Sequence, residues 1–153
     1  MAFKTWLVAG ASSSSEPQSQ RQSSKPISDL GIWIELDVTS SGTTKAVEFA
    51  ANESGGVVDV VVNKAGYSLL GSIGDMNEAE IEAQFNTNIY GPVRVLKGVL
   101  PFVRARKSGT VVKISSSAGV DGLPACAMYS RTKLALEDEC CSIDAFVLRY
   151  KYI

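Results

Sequence analysis

The pentapeptide YSRTK places a phenol and an ammonium group, those of Tyr129 and Lys133, four residues apart. Residues at this spacing share one face of an α-helix, so both side chains can point into the same cleft. A phenol has a pKa of about 10, and a neighbouring cation favours its ionised form. The pair therefore predicts a tyrosine that relays protons near neutral pH. Alone, the spacing is better explained by a solvated tyrosine and lysine on an amphipathic helix.

Other polar residues and glycines follow the predicted strands, and ligands bind at the carboxyl ends of the strands in a doubly wound sheet. Ser116 lies thirteen residues before Tyr129, and Asn88 lies in the long helix that precedes Ser116. The residues that follow strands are Gly10, Asp37, Asn63-Lys64-Ala65-Gly66 and Ser115-Ser116-Ser117. Taken singly, Asp37 would be explained as a partner of a helix N-terminus and Asn63 as a turn former.

Composition excludes several other kinds of site. The 153 residues contain no histidine, which rules out Ser-His-Asp and Cys-His catalysis and removes the commonest metal ligand. Cys126, Cys140 and Cys141 form no Cys-x-x-Cys pair, so we predict no metal site and free thiols in a reducing, cytoplasmic environment. A net charge of -1 and the lack of an apolar run of about 18 residues predict neither nucleic-acid nor membrane partners.

Hydrophobic periodicity predicts an alternation of strands and helices. Buried strands are predicted from the apolar runs at 3–9, 32–36, 57–62 and 110–114. Helices are predicted at 41–53, from a capping box of Asn77 and Glu80 to the residues before Gly109, and from about 127. This order of elements predicts the α/β class with a parallel, doubly wound sheet.

The domain organisation follows from length and from one unusual segment. The length fits a single domain, residues 1–153, and the sequence contains no internal repeat. Residues 12–28 are rich in Ser, Gln, Pro and charge and lack apolar periodicity, which predicts a flexible surface segment. We expect no second domain.

Several ordered motifs together resemble those of the short-chain dehydrogenase/reductase family. They are LDVT, NKAGYSLLG, FNTNIYGPVRV, ISSSAGVDGLP and YSRTK, over about residues 30–137, together with the first strand. The resemblance implies a Rossmann-like sheet and an NAD(P)-dependent oxidoreductase that reduces a ketone or oxidises a secondary alcohol by hydride transfer. It further implies NADP or NAD as the cofactor, with NADP as our preference, a small carbonyl or alcohol substrate, and a homodimer or homotetramer.

The resemblance assigns catalytic roles to four residues. Tyr129 would exchange a proton with the substrate oxygen, and Ser116 would hydrogen-bond the substrate carbonyl. Lys133 would lower the pKa of the Tyr129 phenol and hold the nicotinamide ribose, so this pair would also contact the cofactor. Asn88 would anchor a water molecule that leads to Lys133.

The resemblance also assigns the remaining cofactor contacts. Gly10 would lie in the turn that approaches the pyrophosphate, and Asp37 would meet the adenine. The residues that would run beside the adenosine ribose are Asn63, Ala65 and Gly66.

The sequence departs from the family at both ends. The family's first turn reads Thr-Gly-x-x-x-Gly-x-Gly, whereas only Gly10 remains here and the last two glycines are replaced by Ser14 and Glu16. The strand and helix that should follow are missing, and the motif similarity ends after LALED, so we expect a sheet that is incomplete at its C-terminal end. An exposed edge strand would then cause poor solubility or marginal stability. A catalytically silent relative, kept as a remnant or for protein contacts, therefore stays open as the alternative.

Overall fold

The computed structural model describes residues 5–10, 34, 36–142 and 149–152. Its strands are β1 (Trp6–Ala9), β2 (Val60–Asn63), β3 (Thr110–Lys113) and β4 (Arg149–Tyr152). Its α-helices are α1 (Thr43–Glu53), α2 (Glu78–Phe85), α3 (Gly91–Arg106) and α4 (Ala127–Ser142). A π-helical segment, Asn86–Tyr90, joins α2 to α3, and a short 3-10 turn, Ser117–Gly119, follows β3.

The four strands form one parallel sheet in the order β1-β2-β3-β4. Their last residues are in register, so that Ala9 lies beside Asn63, Asn63 beside Lys113, and Lys113 beside Tyr152. The predicted α/β class with a Rossmann-like parallel sheet is confirmed. Because all strands run the same way, the loops that follow them emerge at one edge.

One strand was not predicted and another needs correction. β4, which the sequence analysis did not predict, pairs with β3 from Thr110 beside Arg149 to Lys113 beside Tyr152. The predicted strand at 32–36 lies partly outside the described residues, and its described members Ile34 and Leu36 are not in a strand. The predicted flexible segment at 12–28 lies outside the described residues.

The core lies between one face of the sheet and the helices α1 and α3. Alternate strand residues point to this face, which explains why Val61 and Val111 are buried in it at 1% exposure each. The helices approach closely at Gly98, where a Cβ would lie 2.7 Å from the Thr44 carbonyl oxygen and 2.8 Å from the Val47 Cβ. Glycine at position 98 therefore allows the close approach of α1 and α3.

The long helix predicted from Asn77 exists but is interrupted. The capping box is confirmed, since Asn77 Oδ1 accepts from the Glu80 amide at 2.9 Å and Glu80 Oε2 accepts from the Asn77 amide at 3.2 Å. The π-helical segment then divides the helix around Asn88. α3 ends at Arg106 and is capped by Lys107, which adopts a left-handed φ of 51° where glycine is usual. Among the described helices, none combines the length and apolar character needed to cross a bilayer.

Candidate active site

The turns after β1 and β2 pack against each other, backbone to backbone. Ala9 O accepts hydrogen bonds from the amides of Lys64 and Ala65, at 2.9 and 3.0 Å. Gly10 has a φ of +90°, and a Cβ there would lie 2.4 Å from the Ala65 nitrogen. Only glycine fits this contact, so Gly10 allows the turns after β1 and β2 to pack together at Ala65.

Tyr129 and Lys133 lie in the first two turns of α4 and face the same side of it. The Lys133 Nζ is 5.5 Å from the centroid of the Tyr129 ring, which is within the range of a cation–π contact. Lys133 is only 6% exposed, and burial lowers the pKa of its ammonium group. The pair therefore has the geometry that the spacing predicted, with a cation beside a half-buried phenol.

Lys133 is tied to the loop that carries Ser116. Its Nζ donates to the carbonyl oxygen of Ile114 at 2.7 Å, two residues before Ser116. Ser116 Oγ accepts from the amide of Ala118 at 3.2 Å and thereby caps the 3-10 turn. The loop after β3 and the start of α4 are thus joined at the residues predicted to be catalytic.

Asn88 is buried at 1% exposure, and its amide makes three hydrogen bonds. Oδ1 accepts from the amide of Tyr67 at 3.0 Å, and Nδ2 donates to the Tyr67 carbonyl at 2.9 Å. The same Nδ2 donates at 3.0 Å to Oγ1 of Thr132, which in turn donates to the Tyr129 carbonyl at 2.7 Å. Asn88 therefore connects the loop after β2 with the helical turn that carries Tyr129.

Gly66 lies between Asn88 and Lys133. A Cβ at Gly66 would be 3.1 Å from Asn88 Oδ1 and 4.0 Å from Lys133 Nζ, so a side chain there would crowd both groups. The neighbouring Asn63 is 5% exposed, and neither Nδ2 nor Oδ1 of its amide has a partner among the described residues. Gly66 therefore allows Asn88 to approach this part of the backbone closely, with Lys133 Nζ nearby, and Asn63 keeps a buried amide without a partner among the described residues.

Asp37 makes its hydrogen bonds within the turn that precedes α1. Its Oδ1 accepts from the amide and the hydroxyl of Thr39, at 2.9 and 2.7 Å, and its carbonyl accepts from the Thr43 hydroxyl at 2.7 Å. This is the turn that leads into α1, so the explanation of Asp37 as a partner of a helix start has structural support. Its contact with adenine stays a prediction.

Two residues of the site were missed by sequence reasoning. Thr132 and Gln84 are both fully buried at 0% exposure, and Gln84 Nε2 donates to the Tyr67 carbonyl at 3.2 Å. The signal for Thr132 was its position beside Lys133, but nothing in the sequence shows that its hydroxyl meets Asn88, 44 residues earlier. Gln84 lies one helical turn before Asn88, and this spacing is the only feature of the sequence that could have placed Gln84 in the site.

The described residues fit a nicotinamide dinucleotide at this edge. Gly10 and Gly66 allow the backbone to pack closely at this edge. The buried ammonium of Lys133 and the amide of Asn63, which has no partner among the described residues, are polar groups that such a cofactor could contact. The arrangement can position a carbonyl or hydroxyl oxygen beside a phenol and exchange a proton with it.

Comparisons with known proteins show which family this chain resembles in sequence. The sequence model of the short chain dehydrogenase family matches residues 4–142. A 3-ketodihydrosphingosine reductase from Bacteroides thetaiotaomicron is 38% identical over 118 residues, which cover 75% of this chain and 44% of that protein. Retinol dehydrogenase 8 from Bos taurus is 31% identical over 162 residues, covering 89% of this chain and 52% of that protein. The chain spans about half the length of these curated relatives.

Solved structures show the same fold. A short-chain dehydrogenase from Streptomyces avermitilis superposes with a TM-score of 0.82 at 26% identity, covering 99% of this chain and 65% of that one. A structure of ElxO with NADP bound gives a TM-score of 0.64 at 30% identity, covering 71% of this chain and 44% of that one. The family match extends over almost the whole chain and agrees with the parallel sheet and its helices. The chain therefore belongs to the short-chain dehydrogenase family of oxidoreductases.

Proposed function

We propose that this chain carries the active site of an NADP-dependent oxidoreductase that reduces a ketone or oxidises a secondary alcohol. The observation that carries the proposal is the placement of Tyr129 and Lys133 on one face of α4, against the loop that bears Ser116. The bound cofactor supplies or accepts the hydride. NADP is preferred to NAD because ElxO, a structural relative, holds NADP in its crystal structure.

Tyr129 moves the proton in this proposal. Its hydroxyl protonates the developing alkoxide during reduction and receives the proton during oxidation. The phenolate that forms during reduction lies beside the Lys133 ammonium, whose Nζ is 5.5 Å from the ring centroid. The two opposite charges attract each other.

Lys133 and Ser116 position the reactants. An ammonium group has three N–H donors, and the Ile114 carbonyl takes one of those of Lys133, which leaves two for the ribose hydroxyls of the cofactor. Ser116 Oγ uses an acceptor position for the Ala118 amide, so its own proton can be donated to the substrate oxygen.

Asn88 contributes by holding these parts together. Its amide makes three hydrogen bonds, to Tyr67 and Thr132, and one acceptor position of Oδ1 remains for the water molecule that the family resemblance predicts. Asn63, Ala65 and Gly66 would line the path of the adenosine ribose.

A direct titration with NADPH and NADH, followed by cofactor fluorescence, tests the proposal. We expect micromolar NADPH affinity that Tyr129→Phe leaves nearly unchanged, while ketone-dependent NADPH oxidation falls by about 10²- to 10⁴-fold. Tyr90→Phe is the matched control, because Tyr90 is 57% exposed and should leave both quantities unchanged. Absence of binding at millimolar cofactor would overturn the proposal and favour the silent relative.

A further inference from the structure

Four apolar side chains lie exposed on the two loops beside the proposed active site. Leu70 and Ile73 follow β2 and are 67% and 55% exposed, and Val120 and Leu123 follow β3 and are 79% and 42% exposed. We call these four residues the apolar rim. Side chains of this size in one region mark a surface that binds an apolar partner or ligand.

The two halves of the rim are joined next to the catalytic helix. The amide of Gly71, adjacent to Leu70, donates to the carbonyl of Ala125 at 2.9 Å. The amide of Cys126 donates to the Leu123 carbonyl at 3.2 Å, and α4 begins directly afterwards. Tyr129 therefore follows this junction by four residues, so a molecule in contact with the phenol lies close to the rim.

Beyond Lys64, which directly follows β2, the charged side chains of these two loops are negative. From Ala65 to Gly91 and from Ile114 to Ser130 the sequence contains no lysine or arginine. Asp75 and Asp121, one on each loop, are both exposed. The next cation along the chain, Arg131, lies two positions beyond Tyr129 and hence on another side of α4, with its Nη1 3.4 Å from Met128 Sδ.

We infer that the substrate is a neutral ketone or alcohol with an apolar alkyl or ring group, and not a keto or hydroxy acid. This inference rests on the proposed function, because it places the reacting oxygen at Tyr129. An anionic substrate would meet like charge and no cation on the rim, whereas each methylene buried against the rim strengthens binding about fourfold.

Binding of three probes to the protein with NADP present tests the inference without requiring turnover. Isothermal titration calorimetry should show affinity rising from 2-butanone to 2-octanone by about fourfold for each methylene that contacts the apolar rim. The anion 2-oxooctanoate should bind more weakly than 2-octanone. The double variant Leu70→Ser with Leu123→Ser should remove most of the increase in affinity with the length of the ketone. Phe49→Ser, at a side chain 56% exposed on α1, is the matched control and should keep that gain.

A charge reversal supplies a second, independent variant. Asp121→Lys places a cation on the rim and should raise the affinity for 2-oxooctanoate by about tenfold, with 2-octanone little changed. Equal or tighter binding of 2-oxooctanoate by the unmodified protein, or no dependence of affinity on ketone length, overturns the inference. Chain-length-dependent binding without NADPH oxidation would instead overturn the proposed function and leave the apolar specificity supported.

Discussion

Replacing Asn88 by aspartate tests whether hydrogen-bond donors, and not simply volume, hold the active site together. Asn88→Asp preserves shape, and the carboxylate still accepts from the Tyr67 amide. It removes the donors to the Tyr67 carbonyl at 2.9 Å and to Thr132 Oγ1 at 3.0 Å, because an ionised carboxylate only accepts. The substitution thus turns two attractive contacts into contacts between acceptor atoms.

The magnitude follows from the partners that remain. Each lost hydrogen bond costs about 1 kcal/mol, and the Tyr67 carbonyl keeps its bond from Gln84 Nε2 at 3.2 Å. Burying a carboxylate adds a desolvation penalty that the Lys133 ammonium, on the other side of Gly66, offsets only in part, so we expect the free energy of unfolding to fall by about 3–5 kcal/mol at neutral pH. That is a large share of a typical domain stability of about 5–15 kcal/mol.

The pH dependence separates this explanation from simple loss of packing. Burial raises the pKa of the new carboxyl group above its value of about 3.9 in the unfolded chain. The folded protein then binds the proton more tightly, so stability is lost as pH rises through the raised pKa and is regained on acidification. Protonation also restores one O–H donor for the Tyr67 carbonyl or Thr132.

Urea unfolding followed by circular dichroism at about pH 5 and about pH 8 measures this effect. Asn88→Ala is the control, since it loses all three hydrogen bonds but adds no titrating group. We expect Asn88→Asp to gain stability relative to Asn88→Ala on acidification. If the two variants keep the same difference at both pH values, or if Asn88→Asp is as stable as the unmodified protein, the described network is incorrect.

Three further substitutions probe other contacts. Gly98→Ala should lower the free energy of unfolding in urea by about 1–2 kcal/mol, because crowding against Val47 outweighs the gain in helix propensity, and the loss should shrink in a Val47→Ala background. Gly10→Ala should weaken NADPH binding, measured by fluorescence, by about tenfold, because the Cβ would lie 2.4 Å from the Ala65 nitrogen; unchanged affinity would contradict the contact. Burial lowers the pKa of Lys133, so the unfolded chain binds this proton more tightly and stability rises with pH between the lowered pKa and about 10.4. Lys133→Met should abolish this rise of stability with pH, measured by urea unfolding at several pH values. If the variant and the unmodified protein show parallel pH profiles of stability, the explanation is wrong.

Local signals in the sequence predicted most of the fold. The helix start at Asn77 could be predicted because a capping box involves residues three apart in the sequence. The strands from Val60 and Thr110 could be predicted from their apolar runs. The strand from Arg149 was not predicted, since its sequence RYKY has no continuous apolar run. It pairs with β3 across a long separation in the chain, and local sequence does not specify such pairing.

The same distinction applies to the site. Tyr129 and Lys133 could be paired from sequence because they are one helical turn apart. The link from Asn88 to Thr132 crosses 44 positions and depends on how the π-helical segment packs against α4, so no spacing rule predicts it. Asp37 shows the opposite case, because its hydrogen bond to Thr39 is local in sequence, while the adenine contact that the family resemblance assigns to it stays a prediction.

The proposed catalytic groups take most of their support from the main chain. Asn88 bonds both polar groups of the Tyr67 backbone, Lys133 bonds the Ile114 carbonyl, and Ser116 bonds the Ala118 amide. Backbone partners stay the same when the side chains of a loop are replaced. The loops after β2 and β3 can therefore change their exposed side chains, and with them the substrates they accept, while the positions of the phenol, the ammonium and the hydroxyl are kept.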